Sequence, residues 1–229
     1  MRKVRLFTPG PTPLLPAAAH AMAAADLHHR TPEFRAIFQR VREGLQQFMG
    51  TRNEVLVLTA SGTGAMEAAV SNLVNAGDPV AVISAGKFGE RWVELCRAFG
   101  CDVRVLSAEY GKTLSRAELQ RALGPDLRAV FMQATESSTG VRHDVDAVAD
   151  ALAGRDTLLV VDAITGLGTT DLAVDGKIDV LIGGSQKALM CPPGLAFCSV
   201  SERAWQRMDA CSQPRYYFYL CRERKAQSK

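Results

Sequence analysis

Leu158-Leu159-Val160-Val161-Asp162 and, further on, Val180-Leu181-Ile182-Gly183-Gly184-Ser185-Gln186-Lys187 decide the fold. Both open on a run that is apolar at consecutive positions, where a half-exposed strand would alternate. That is the pattern of a strand covered on both faces, as in a parallel sheet with a helix layer on either side. Working outward, similar β-branched runs recur at 55–58, 80–84, 103–106, 129–133 and 195–200, each bounded by turn residues. Segments 33–49, 64–74, 90–99, 116–123 and 145–152 lie between them with helical periodicity, and 202–210 reads as a helix after the last strand. Alternation of strand and helix predicts an α/β domain with a mostly parallel, seven-stranded, doubly wound sheet and helices on both faces. No repeat, low-complexity tract or interdomain linker interrupts it.

The bulk composition narrows the function classes. Twenty-seven basic and 24 acidic residues leave a net charge of +3, too even to imply nucleic acid or an anionic membrane as partner. The most basic run, 222–229, reads as a solvated helix face or a frayed tail. Six cysteines, at 96, 101, 191, 198, 211 and 221, form no Cys-x-x-Cys pair and have no His at zinc spacing, and His28-His29 has no ligand partner nearby. Free thiols in a reducing compartment, no metal, and Cys191 and Cys198 as small core residues are the expectations. The basic opening at 1–5 with the alanine-rich stretch at 14–25 mimics a secretory signal, but Pro9, Pro11, Pro13 and Pro16 break the apolar region. No apolar run is long enough to span a bilayer, which makes the cytoplasm the expected location. The run Arg215-Tyr-Tyr-Phe-Tyr-Leu220 carries enough apolar area to call for a packing partner.

Five loops, each following the carboxyl end of an expected strand, carry candidate chemistry. Lys187 stands just past a buried strand and before Pro192-Pro193-Gly194, where α/β folds place ligands and where desolvation activates an amine toward an aldehyde. A plain surface lysine is the other reading. Asp162 ends the other buried strand; an acid there is costly unless paired, with a protonated pyridine nitrogen or with a basic neighbour. Ser61-Gly62-Thr63-Gly64 would let backbone N–H groups approach an anion at a helix start, and Glu67 replaces the third glycine of a dinucleotide fingerprint. Phe88, on a Gly-flanked loop, could lie against a planar ring or sit in the core. The hydroxyl-rich turn Thr135-Glu136-Ser137-Ser138-Thr139-Gly140 could bond a cofactor hydroxyl or a substrate carboxylate, or be simply a polar turn.

Thr8-Pro-Gly-Pro-Thr12, His28-His-Arg-Thr-Pro-Glu-Phe34, SGTGAMEAA, GKFGERW, ATESSTG, VVDAITGLG and GGSQKALMCPPG occur in this order. In that order and combination the chain resembles the class V aminotransferases, most of all their alanine–glyoxylate and serine–glyoxylate (serine–pyruvate) branch. The resemblance implies the large domain of a fold type I enzyme and pyridoxal 5′-phosphate (PLP) as cofactor. Lys187 would carry the cofactor as the Schiff-base lysine and then shuttle a proton, Asp162 would bond the pyridinium nitrogen, and Phe88 would stack on the ring. Thr63 and Gly64 would hold the phosphate with help from Gln186, Ser137 would face the ring or the substrate, and the Thr-Pro-Gly-Pro-Thr loop would line the substrate side. It also implies small amino acid and 2-oxo acid substrates and a homodimer. Residues 1–20 would form an N-terminal active-site segment, 21–210 the PLP-binding domain, and 211–229 the start of a C-terminal region that relatives continue. In relatives that continuation carries the arginine for the substrate carboxylate and a segment reaching the neighbouring subunit's phosphate; Arg222 and Arg224 are no substitute. A chain without them is expected to transaminate poorly.

Other chemistries stay open on the residues alone. A class V lyase such as a cysteine desulfurase carries His before the lysine and His over the ring, where this chain has Gln186 and Phe88. A non-catalytic PLP-binding or dimerisation module is a second alternative. A nucleotide-dependent oxidoreductase is a third, but Asp78 and Glu90 do not follow the next strand as a ribose contact requires.

Overall fold

The computed structural model describes residues 6–228; the basic opening at 1–5 and Lys229 lie outside the described residues. In chain order come α1 (Pro16–Met22), α2 (Pro32–Met49), β1 (Glu54–Thr59), α3 (Gly62–Leu73), β2 (Pro79–Ser84), α4 (Lys87–Ala98), β3 (Asp102–Ser107) and α5 (Arg116–Ala122). There follow β4 (Ala129–Gln133), β5 (Thr135–Glu136), β6 (Val141–Arg142), α6 (Val145–Ala151), β7 (Leu158–Asp162), β8 (Val180–Gly184), β9 (Leu195–Val200), α7 (Glu202–Asp209) and α8 (Leu220–Gln227). The seven expected strands form one sheet in the order β1-β9-β8-β7-β4-β2-β3. Its β3-β2-β4-β7-β8 part is parallel, while β9 runs antiparallel to β8 and to β1. The carboxyl ends of β1, β2, β4, β7 and β8 therefore share one edge, and the loops after them meet there.

Consecutive apolar residues make this possible because each strand feeds two cores. Phe131, Val160 and Ile182 join Trp92, Met66 and Met208 on the face covered by α3, α4 and α7. Val130, Leu159, Val161 and Leu181 join Leu45, Leu119 and Val148 on the face covered by α2, α5 and α6. Each fully buried side chain of this size contributes about 1.5–3 kcal/mol. Trp92 packs against Phe131 with ring centroids 5.0 Å apart, tying α4 to the sheet centre. The edge strand β3 departs from the pattern, since only Val103 and Leu106 are partly covered.

The helix ends follow local chemistry. Thr31 caps α2 by accepting from Phe34 N–H, Pro32 opens it, and Gly50 closes it in the left-handed region at φ 63°. Ser115 and Glu118 form a reciprocal capping box on α5.

Three expectations need correction. Of the two readings of the run 222–229, the helix holds and the frayed tail does not: residues 222–227 belong to α8, which docks on β1 and leaves Arg222 and Lys225 exposed. Arg224 Nε bonds Glu54 Oε2 at 2.6 Å and its guanidinium lies 4.5 Å from the Trp205 ring centroid. Gln227 bonds both the N–H and the C=O of Val57. Only Cys198 of the two expected core cysteines is buried, because Cys191 lies in the turn after β8 and is half-exposed. The aromatic run divides: Phe218 packs against the first core while Tyr216 and Tyr217 stay exposed. No helix among the described residues is long and apolar enough to cross a membrane, and none of them form a His/Cys/Asp/Glu cluster suited to a metal.

Candidate active site

Asp162, the last residue of β7, is 5% exposed. Its Oδ1 accepts the backbone N–H of Ile164 at 2.9 Å, the side chain's single hydrogen bond among the described residues. Burial pushes its pKa up to about 6; Glu136 adds to the rise, while the Ile164 N–H, Arg91 and Lys187 oppose it. A buried carboxylate so placed lacks a cation in direct contact.

Lys187 follows β8 in a turn that Ser185 braces by donating its hydroxyl to Pro192 O. Burial lowers the ammonium's pKa, with Asp162 opposing. A lysine so displaced is closer to the free amine that attacks a carbonyl. The N-terminal segment straps this turn down. Thr12 donates its N–H to Gln186 O at 2.9 Å and its hydroxyl to Lys187 O at 2.7 Å, and Leu15 N–H reaches Met190 O. The Lys187 Nζ donates to Pro9 O at 3.2 Å, and a methyl group on Gly10 would lie only 2.4 Å from it.

The opening of α3 has no side-chain cap, so its first N–H groups are available to an anion. Gly62 allows close packing on Ile164, and Gly64 on Ala60 and Phe218. Thr63 Oγ1 accepts from Arg91 Nη1 at 3.1 Å, and the same guanidinium lies 4.9 Å from the Phe88 ring centroid. Phe88 is half-buried and belongs to the first turn of α4, not to the loop before it. Ser137 is half-buried between β5 and β6. Gln186 sits at the start of the Lys187 turn, its carbonyl held by Thr12.

Lys187 and Arg91 are thus both near enough to act on the Asp162 carboxylate, and Arg91 brings Thr63 and Phe88 into the same group. Ser137 and Gln186 flank that group on neighbouring turns. Sequence reasoning singled out neither Arg91 nor Gly10 nor Thr12 individually, although all three lie inside quoted motifs. What a motif does not tell is which member touches which.

This donor set fits PLP: an uncapped helix start for a phosphate, a cation-deficient buried carboxylate for a pyridinium, and a weakly basic lysine for an aldehyde. Thr135 Oγ1, buried without a hydrogen-bond partner among the described residues, adds an unused polar atom on the same edge. The family model for aminotransferase class V matches residues 16–214. The chain belongs to the class V aminotransferases. The soluble hydrogenase 42 kDa subunit of Anabaena cylindrica is 41% identical over 233 residues, covering 99% of this chain and 61% of that protein. The serine–glyoxylate aminotransferase of Methylorubrum extorquens is 34% identical, covering 90% of this chain and 54% of its own. Among solved structures, the subgroup IV aspartate aminotransferase of Thermus thermophilus superposes with a TM-score of 0.91 at 38% identity, over 98% of this chain and 64% of that one. This class V chain therefore spans about three-fifths of the length of the curated relatives it matches, and its fold is the PLP-dependent fold type I.

Gly10 gives a first prediction. The group a Gly10→Ala methyl would meet is the flexible end of Lys187, so the amine moves and the fold stays. Covalent attachment of PLP should slow by about 10²-fold, the scale of an ångström-sized misplacement of a reacting group, with the melting temperature little changed. Stopped-flow absorbance beside a thermal melt checks this, and an unaltered attachment rate would remove Gly10 from the site.

Proposed function

We propose that this chain forms the cofactor-binding part of an aminotransferase that moves an amino group from alanine or serine to a small 2-oxo acid such as glyoxylate or pyruvate. The observation that supports it most is Asp162 and Lys187 at the carboxyl ends of adjacent parallel strands: burial brings Lys187 closer to the free amine, and leaves Asp162, with its pKa pushed up to about 6, ionised at neutral pH without a cation in contact. PLP, when bound, supplies the electron sink at the substrate carbon. Asp162 keeps a proton on the ring nitrogen by presenting a fixed negative charge to it. Lys187 attaches the cofactor through Nζ and, once released, moves a proton at the substrate Cα. Thr63, Gly64 and Gln186 hold the phosphate, Phe88 covers a face of the ring, and Ser137 addresses the ring hydroxyl or the substrate.

In this reading residues 1–20 form an active-site segment, 21–210 the PLP-binding domain and 211–229 the beginning of a further region. A homodimer suits the apolar side chains left exposed on the N-terminal elements, Phe7, Met22, Ile37 and Val41 among them. Six free cysteines suit a reducing cytoplasm.

The test is direct. Titration with PLP should develop a visible absorption band, and borohydride reduction should then fix the cofactor on the peptide holding Lys187. Label spread over lysines in proportion to their exposure would overturn the assignment.

A further inference from the structure

Glu136 is fully buried at the end of β5, in a stretch whose sequence reads as a polar turn. Its Oε2 accepts the backbone N–H groups of Phe88 and Gly89, each at 3.0 Å. Its Oε1 accepts the N–H and the hydroxyl of Ser138, at 3.2 and 2.6 Å. Ser138 Oγ in turn accepts the N–H of Lys87 at 3.1 Å. Helix α4 has no cap of its own, since Gly86 occupies the N-cap without a side chain. The carboxylate supplies that cap from 48 residues downstream, at the positive end of the helix dipole. Gly86 leaves the room for it: a methyl group there would lie 2.6 Å from Glu136 Cδ.

A cap could be no more than structural, but what it holds here is one side of the cofactor site. Phe88 is bonded directly. Arg91, in the same helix, carries the orientation on to the Phe88 ring and to Thr63. We propose that Glu136 is a positioning residue of the PLP site, fastening the start of α4 to the turn between β5 and β6 and so setting where Phe88 stands. This rests on the PLP reading above.

The test compares side chains at position 136 in the full chain, with PLP as the probe. Glu136→Leu has no acceptor. Glu136→Gln keeps one oxygen for Phe88 and Gly89 and turns its amide toward Ser138 Oγ. Two quantities are read: the PLP dissociation constant, and the visible circular dichroism per bound PLP, which reports the asymmetric surroundings of the ring and not the stability of the fold. Glu136→Leu should weaken binding about tenfold and remove most of the signal per bound PLP, and Glu136→Gln should restore most of both. Thr157→Val, which breaks a buried hydrogen bond to Leu127 O at the far end of β7, should lower the melting temperature with no change in either. Gly86→Ala provides a second route should the leucine variant fail to fold, because its methyl pushes α4 off the carboxylate; it should lose signal likewise. Wild-type affinity and dichroism in Glu136→Leu or Gly86→Ala would overturn the proposal. So would a Gln variant no better than Leu, since charge and not position would then be what matters. A wild-type chain that binds no PLP refutes the functional reading itself, and this proposal falls with it; binding with no effect at position 136 refutes the proposal alone.

Discussion

Asp162→Asn should make the cofactor-free chain more stable at neutral pH while slowing the amino-group exchange proposed for the loaded protein. Asn is isosteric and can still accept the Ile164 N–H. What it removes is a buried charge. The folded carboxyl holds its proton up to about pH 6, against 3.8 for the ordinary group. Between those values the folded state binds the proton and the unfolded state does not, so the wild type loses stability as pH rises through that window. Above it the penalty is complete, at most about 3 kcal/mol for a shift of this size. The difference between the two melting curves should be flat below pH 4, open between pH 4 and 6, and stay constant beyond; a pH-independent difference would deny the carboxylate its buried charge. In the loaded protein the order reverses. Without a fixed negative charge to keep the ring nitrogen protonated, amino-group exchange with an added amino acid should fall by about 10²–10³-fold or more, the scale of losing a key electrostatic contact in a dry site. Exchange at the wild-type rate would make Asp162 a structural residue.

Lys187 should show the larger loss. Lys187→Ala removes the amine proposed to attach PLP, so borohydride should fix no cofactor at this peptide, and exchange should fall by about 10⁴-fold or more, as when a covalent nucleophile is deleted. Lys187→Arg is the sharper variant. It keeps a cation facing Asp162, but a guanidinium stays protonated at neutral pH and cannot attack an aldehyde. PLP should still bind reversibly to both, held by the opening of α3. A small primary amine in solution should recover part of the rate in Lys187→Ala and none in Asp162→Asn, because only the first lacks a diffusible group. Undiminished covalent trapping in Lys187→Arg would place the attachment on another lysine.

The seven strands were legible because burial on both faces imposes unbroken apolar runs, and Leu158–Asp162 and Val180–Gly184 are the plainest cases. The direction of β9 was not. A strand buried on two sides reads the same in either orientation, and Leu195–Val200 turns back only because Pro192-Pro193-Gly194 makes a short connection. Helix α1 escaped notice because none of its residues is buried, so it has no apolar stripe to read. In the site, Lys187 and Asp162 stood out as charged groups after apolar strands. Glu136 did not, since its partners at Phe88 and Gly89 lie 48 and 47 residues earlier and a carboxylate among serines looks solvated. Arg91 was hidden for the same reason: its value lies in touching Thr63, 28 residues away.

The strap across the Lys187 turn has a consequence for the order of events at the ribosome. Thr12 is made early, yet its acceptors lie 174 and 175 residues downstream. Strand β1 is in a similar position, since its one neighbour in the sheet is β9. Synthesis delivers the chain N-terminus first, so the strap and β1 must wait until nearly all the strands between them have emerged and paired. During that interval Lys187 is either not yet made or not yet covered. The lysine is therefore covered by a segment synthesised well before it.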